Sequence, residues 1–139
     1  MPLDRAQENV TTQATRIAST TALRASSVLT NSYVNSSSIA ASDNGENQLI
    51  LLVDVTLGSL TSIEIKVEFS DDNATFFQES FGAISGGADT LTLGEHTFTV
   101  DGNYRVPIPV MDRFLRIAAK GTGTVTSSLL AIDGVLGVA

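Results

Sequence analysis

The sequence predicts an all-β fold, an antiparallel β-sandwich or jelly roll of about eight strands, from two observations. The first is residues 61–69, where Ile63, Ile65, Val67 and Phe69 alternate with polar and charged residues. This period of two is typical of a strand with one face in a core. The second is that short apolar runs are separated by clusters of Gly, Asn, Asp and Ser, as turns require, with no pattern for a domain-building helix.

The strands are predicted in order from residue 28, each bounded by turn-forming residues. The long run at 48–57 is apolar enough to be buried on much of both faces. The charged side of 61–69, which holds Glu64, Lys66 and Glu68, is expected to face water or a neighbouring subunit. The predicted strands are 28–34, 48–57, 61–69, 75–81, 90–93, 96–100, 114–119 and 124–132.

Residues 104–110 have apolar side chains on one face and two prolines on the other. Pro107 and Pro109 cannot donate a ladder hydrogen bond. This places the segment at a sheet edge, or leaves it irregularly extended.

Residues 1–26 differ from the rest and are interpreted as an N-terminal arm, with the β-sandwich domain at 27–139. The segment is rich in Thr, Ala, Ser and Gln. The spacing of Val10, Ala14 and Ile17 permits a helical turn or two, but the many threonines disfavour an autonomous helix. Such an arm is ordered mainly by what it touches, and a frayed terminus is the alternative.

Composition bounds the function. The 139 residues suit one domain, and the absence of cysteine excludes disulfides and thiolate metal sites. The net charge is −7, and residues 41–102 alone carry eleven acids against Lys66. This acidic middle argues against a nucleic-acid partner; it fits either a solvated acidic surface or subunits that meet acidic edge to basic edge. No apolar run approaches about 20 residues, and no secretory signal pattern is visible, so no membrane partner is expected.

Little catalytic chemistry is predicted. His96 is the single histidine, and neither a phosphate-binding loop nor a nucleophile elbow is found. We therefore expect no enzyme, no catalytic residue and no cofactor. Asp71, Asp72 and Asn73 offer oxygens suited to Ca²⁺ as a weak metal candidate, but these residue types are also favoured turn formers, so a plain turn is the preferred interpretation.

Two blocks resemble strand-turn-strand units of small β-sandwich proteins from tailed-phage virions. They are Ile-Glu-Ile-Lys-Val-Glu-Phe-Ser-Asp-Asp-Asn-Ala-Thr-Phe-Phe-Gln-Glu at 63–79 and Gly-Asn-Tyr-Arg-Val-Pro-Ile-Pro-Val-Met-Asp-Arg-Phe-Leu-Arg-Ile at 102–117, followed by Lys-Gly-Thr-Gly-Thr-Val at 120–125. The resemblance extends over 27–139. Such proteins include capsid decoration (cement) proteins and other minor virion components.

The resemblance implies a non-enzymatic structural protein on the capsid surface of a virion, made in the cytoplasm of a host bacterium. Its partners would be the major capsid protein and further copies of itself, as a homotrimer. A neck or tail component is the alternative within the same resemblance.

Two sets of contact residues are predicted. The arm would bind the capsid through Val10, Arg16, Ile17, Leu23 and Arg24. The oligomer interface would use the proline-containing strand and the C-terminal tail, through Tyr104, Val106, Pro107, Pro109, Val135 and Leu136.

A shorter resemblance suggests a second function. Val-Glu-Phe-Ser-Asp-Asp-Asn-Ala-Thr-Phe at 67–76 and Arg-Phe-Leu-Arg-Ile at 113–117 are similar to two signatures of discoidin-type jelly rolls. That similarity implies a module that binds host-surface carbohydrate. The chain has no Trp, so a sugar platform would use other aromatic residues, which are also suited to a core; they are Tyr33, Phe76, Phe77, Phe81 and Tyr104.

Overall fold

The structure is a computed structural model that describes residues 16–41, 45–85 and 87–138, and all its regular elements are strands. The strands are β1 (Arg16–Ser27), β2 (Val34–Asn35), β3 (Ile39–Ala40), β4 (Gln48–Thr56), β5 (Leu60–Ser70), β6 (Phe77–Gln78), β7 (Ser80–Ser85), β8 (Ala88–Leu93), β9 (His96–Phe98), β10 (Gly102–Pro109), β11 (Phe114–Gly123) and β12 (Leu129–Val138). The predicted all-β class is confirmed.

Two antiparallel sheets form the sandwich. Sheet A has the order β1-β12-β4-β10, and sheet B has the order β2-β11-β5-β6, with β3 also paired to β11 and β9 to β5. The two sheets therefore hold four and six strands, ten in all, so the predicted count of about eight is wrong. A separate antiparallel pair, β7 with β8, lies between β6 and β9 in the chain.

The strand order is that of a jelly roll. The pair β2 and β3 occupies one position along β11, and the pair β6 and β9 occupies one position along β5. Numbered by position along the chain, the sheets have the orders 1-8-3-6 and 2-7-4-5, so most successive strands alternate between sheets. The short segments explain the miscount, because two-residue strands carry no readable period.

The core lies between the inner faces of the two sheets. Alternate residues of the long strands supply it, and full burial of each such side chain stabilises the fold by about 1.5–3 kcal/mol. The largest of these fully buried apolar side chains are Leu49, Leu51, Val55, Ile63, Ile65, Val67, Ile108, Leu115, Ile117, Leu130 and Ile132.

Strand β1 belongs to sheet A. It pairs with β12 from Arg16 opposite Val138 to Ser27 opposite Leu130, with three register shifts on the way. Residues 16–26 of the predicted arm are therefore a strand of the sandwich in this structure. Gly134 lies against Leu23 of β1, and a Cβ there would lie 2.9 Å from the Cδ1 atom of Leu23, so that a larger residue would require the leucine side chain to shift.

Strand β10 lies at an edge of sheet A, as its prolines predicted. The backbone N–H of Val110 donates to the carbonyl of Asn47 (3.1 Å). Hydrogen-bonded and non-bonded pairs alternate along an antiparallel ladder, so the nitrogens of Pro107 and Pro109 point away from β4. The prolines thus remove donors from the free edge and none from the ladder.

Candidate interaction surfaces

The outer face of sheet A, called the open face below, combines apolar and charged side chains. Strand β4 alternates, so that Leu51 and Val53 face the core while Leu52 and Asp54 face outwards. Leu52 is 41% exposed. The prediction that 48–57 is buried on much of both faces therefore holds for Ile50, at 8% exposure, but not for Leu52.

The open face contains a shallow groove of about 420 Å³. It runs over β4 and its two neighbours, β10 and β12. The side chains that line it and face outwards are Leu52, Asp54, Asn103, Arg105, Ala131 and Asp133. A groove with an exposed leucine and both signs of charge is suited to contact with another protein surface.

The structure divides the predicted oligomer-interface residues between two faces. Pro107, Pro109 and Val135 lie on the open face, where Pro107 and Val135 flank Ile50 in register. Tyr104 and Val106 are half-buried against the core, and Leu136 is buried within it. Only the first three are thus presented to a partner in this structure, because the alternation of a strand sends neighbours to opposite sides.

The outer face of sheet B, called the closed face below, is charged yet largely buried. Glu64 is 7% exposed and Glu68 is 9% exposed. The expectation that this side of β5 faces water or a neighbouring subunit is wrong for these two glutamates, which are buried within the chain. The reason is that the neighbouring strand β11 supplies partners for both carboxylates.

Each buried glutamate is bound by side chains of the same domain. Glu68 accepts a hydrogen bond from Arg116 Nε (2.7 Å) and lies 3.5 Å from Lys66 Nζ. Glu64 accepts hydrogen bonds from Ser62 and from Thr122 Oγ1, the latter at 3.0 Å. These contacts offset the cost of burying the carboxylates, so the closed face is satisfied within the chain.

Tyr33 covers part of the closed face. Lys66 Nζ and Lys120 Nζ lie 4.5 and 5.0 Å from the centroid of its ring. Its hydroxyl donates to Glu95, which joins the loop before β2 to the loop before β9. The pKa of Tyr33 is raised, and burial is the largest cause. The hydrogen bond to Glu95 and its negative charge raise the pKa further.

The predicted capsid-binding residues are only partly described. Val10 and the side chains of Arg16 and Ile17 lie outside the described part of the chain. Leu23 is 8% exposed and packs in the core, so it holds β1 to its own domain. Arg24 is half-buried; its Nη2 donates to the carbonyl of Val28 (3.1 Å), and burial lowers the pKa of its guanidinium.

The Asp71-Asp72-Asn73 segment is a turn held by one carboxylate. Asp72 Oδ1 accepts hydrogen bonds from the backbone N–H groups of Thr75 (2.8 Å) and Ala74 (2.9 Å) and from the hydroxyl of Ser70. The bonds from Thr75 and Ala74, followed by that from Ser70, lower the pKa of Asp72. Asn73 has a φ of 58°, the left-handed conformation that asparagine tolerates well.

Two phenylalanines follow this turn. Phe77 is 67% exposed. Phe76 is half-buried, with the Arg116 guanidinium 4.0 Å from its ring centroid. Tyr104 instead packs on Phe98 at 4.8 Å between centroids, and the side chain of Phe81 is outside the described residues. Of the aromatic residues predicted for a sugar platform, Phe77 is thus the most accessible that the structure describes.

His96 lies at the base of the β7–β8 hairpin. Its Nε2 atom is 3.6 Å from Glu79 Oε2, and both atoms are buried. Among the side chains that the structure describes, no three His, Cys, Asp or Glu residues group as metal ligands would. In residues 16–41, 45–85 and 87–138, no helix is of the length and apolarity that crossing a membrane requires.

Sequence reasoning missed the central residues of the open face, Leu52, Arg105 and Asp133. The sequence did contain a signal for Leu52, because it lies at a spacing of two from the polar residues Asp54 and Thr56 and therefore on the same side of the strand. The alignment of Arg105 and Asp133 beside Leu52 depends on strand register, which the sequence alone does not supply.

No family model matches the chain, and no curated protein matches it either. Among solved structures, a chain from the structure of infectious bursal disease virus, Gt strain, is similar over 90% of this chain, with 14% sequence identity and a TM-score of 0.35. This chain spans 32% of that chain's length. A likeness at this level gives no information on function.

Proposed function

We propose that this chain is a non-enzymatic structural protein of a tailed-phage virion, a capsid decoration protein that binds the major capsid protein at the capsid surface. The observation that carries the proposal is the open face of sheet A. Leu52, Pro107 and Pro109 are exposed there beside charges without an ion-pair partner in the described residues. Such a face is suited to contact with a protein surface.

The jelly-roll order supports the proposal at the level of architecture, since viral capsid domains use it, although lectin domains do so too. The virion assignment rests on the resemblance of the 63–79 and 102–117 blocks. Virion assembly proceeds by association of surfaces, and the open face supplies one.

Stabilisation of the capsid would be mechanical in this proposal. The chain would bury apolar area across the boundary between capsomers, at about 25 cal/mol for each Å² removed from water, and so oppose the pressure of packaged DNA. Val10, Arg16, Ile17 and Arg24 are the proposed capsid contacts of the 1–26 segment. Leu23 is excluded from this set because it is part of the core.

The direct test is the composition of purified virions of the phage that encodes the chain. Quantitative mass spectrometry and cryo-EM would give its copy number and position. A ratio near one per capsid subunit supports decoration, whereas about a dozen copies indicates a neck or tail component of a symmetric ring. Absence from the virion contradicts the proposal.

The role of the arm needs a narrower deletion than residues 1–26. Residues 16–27 form β1, so their removal would unmask the core. Deletion of residues 1–15 leaves β1 in place and is expected to weaken binding to capsids that lack the protein. Unchanged affinity would contradict the proposed capsid contact of Val10, the residue of the set that this deletion removes.

A module that binds the carbohydrate of a host surface is the second candidate, favoured by the exposure of Phe77 beside the Asp71–Asn73 turn. An aromatic face next to polar turn residues suits sugar stacking. A glycan array should show saturable binding that Phe77→Ala abolishes and that Val100→Ala, at another exposed apolar residue, leaves unchanged. No binding, or equal loss in both variants, would contradict this function.

A further inference from the structure

The open face carries opposite charges at equal distances from Leu52. In the strand registers, Leu52 of β4 lies opposite Asp133 of β12 on one side and opposite Arg105 of β10 on the other. Residues paired in register share a face, so the three side chains point outwards in one row. Asp133 and Arg105 are thus one strand spacing to either side of Leu52, about 4.8 Å each.

The next row of the open face is apolar. Ile50 lies opposite Val135 on β12 and opposite Pro107 on β10. Ile50 is buried, Val135 half-buried and Pro107 exposed. A charged row beside an apolar row gives the face both a hydrophobic contact and a means of fixing orientation.

The sandwich edges do not favour pairing of strands between copies. In sheet A, β10 lacks outward donors at Pro107 and Pro109, and β1 has three register shifts. The edge strands of sheet B have only two or three residues each. Proline, bulges and short edge strands are the devices that block edge-to-edge association, which leaves the faces.

We propose that two copies of this chain pack open face to open face, about a two-fold axis that runs along β4 over Leu52. This proposal assigns the open face to a second copy and leaves the capsid contact to the N-terminal segment, and it rests on the proposed function only for its biological setting. The axis exchanges the two sides of the row, so Asp133 of each copy faces Arg105 of the other. Leu52 faces Leu52, and Val135 faces Pro107 of the second copy.

The spacing suits these contacts. Packed sheets are separated by about 10 Å, and an extended arginine with an aspartate bridges that distance. A two-fold axis perpendicular to the strands would instead place Asp133 against Asp133 and Arg105 against Arg105, so charge complementarity selects the axis along β4.

One residue opposes this arrangement. Asp54 lies on β4 itself, so the axis brings it towards Asp54 of the second copy. Like charges at an interface disfavour association. The arrangement therefore predicts that Asp54→Asn strengthens association more than Asp71→Asn, which removes the same charge from the exposed turn.

The test is sedimentation equilibrium of the full chain in low salt, with charge reversal at each end of the row. The wild type is expected to form dimers. Arg105→Asp and Asp133→Arg should each raise the dissociation constant of the dimer at least about tenfold. The double variant should restore most of the lost affinity. Asp71→Arg, in the exposed turn, changes the net charge as Asp133→Arg does and should not raise the dissociation constant.

The contradicting results are specific. A wild type that stays monomeric at millimolar concentration, or forms the trimer that the phage resemblance implied, would overturn the two-fold pair. Single reversals without effect, or a double variant no better than either single one, would do so as well. Virion composition tests the proposed function separately, so a monomeric chain found on virions would reject this pair alone.

Discussion

The two outer faces of the sandwich differ, because the closed face buries two glutamates of β5 whereas the open face exposes a leucine of β4. Strand β5 alternates apolar and charged residues, and its charged side is nevertheless buried at Glu64 and Glu68. Strand β4 is almost continuously apolar from Leu49 to Val53, and yet Leu52 is exposed. A period of two identifies the two sides of a strand, but the neighbouring strands decide which side meets water.

The difference lies in where each face finds its partners. On the closed face, Arg116 and Lys66 bind Glu68 within the chain. On the open face, Arg105 and Asp133 are two strands apart, and neither forms an ion pair in the described residues. The closed face is therefore expected to contribute to folding, and the open face to association.

The largest expected effect separates the core from both outer faces. Leu23→Ala should lower the free energy of unfolding by about 2–4 kcal/mol, because it removes a buried side chain that anchors β1. Leu52→Ala, on the open face, should cost less than about 1 kcal/mol. Chemical denaturation measures both. An unaffected Leu23→Ala variant would instead return Leu23 to the predicted capsid contacts.

The next effect tests the closed face. Glu68→Ala should destabilise the fold by about 2 kcal/mol, because Arg116 and Lys66 lose their buried partner. Asp71→Ala removes an exposed carboxylate and should change stability by less than about 0.5 kcal/mol. Equal effects in urea unfolding would mean that the closed face is no more integrated than the turn.

A smaller effect concerns the tyrosine that covers the closed face. Tyr33→Phe should cost about 1 kcal/mol through loss of the hydrogen bond to Glu95, while its ring stays over the lysines.

The Tyr33→Phe variant should also change how the stability of the fold depends on pH. The pKa of Tyr33 is higher in the folded chain than its ordinary value of 10.0, so its contribution is complete below that value and is lost as pH rises through the folded pKa. Thermal unfolding above pH 10 should therefore show a slope that Tyr33→Phe lacks. Identical slopes for the wild type and for Tyr33→Phe would contradict the raised pKa of Tyr33.

The smallest effect is at the Asp71–Asn73 turn. The pKa of Asp72 is below its ordinary value of 3.8, so the contribution of its carboxylate is present above that value and is lost as pH falls through the folded pKa. NMR titration of the carboxyl carbon should place its midpoint below the ordinary value. A midpoint at or above it would mean that the backbone bonds from Thr75 and Ala74 are not maintained.

Most of the fold could be predicted from the sequence, but less of the character of the two outer faces could be. Alternation at 61–69 and the prolines of 104–110 were enough to predict a strand and a sheet edge. Strand β1 was missed because its Thr- and Ala-rich composition shows no clear period, and it is held instead by pairing with β12 and by packing of Leu23 under Gly134.

The predicted oligomer interface shows which part of the surface could not be predicted from the sequence. Pro107, Pro109 and Val135 lie outside the core, whereas Leu136, which was grouped with Val135 in the predicted interface, is buried because adjacent strand residues face opposite ways. The row of Asp133, Leu52 and Arg105 joins three strands that are distant in sequence. Such a row depends on register, which several turns determine together.

The central claim, that association and folding are assigned to different faces, is tested most directly by measuring both quantities in two variants. For Leu52→Ser, sedimentation equilibrium should show association weakened at least about tenfold, with the unfolding free energy of the dilute chain within about 1 kcal/mol of wild type. Glu68→Ala should show the reverse, with lower stability and unchanged association. The claim is contradicted if Leu52→Ser associates as the wild type does, or if Glu68→Ala loses association to the same extent.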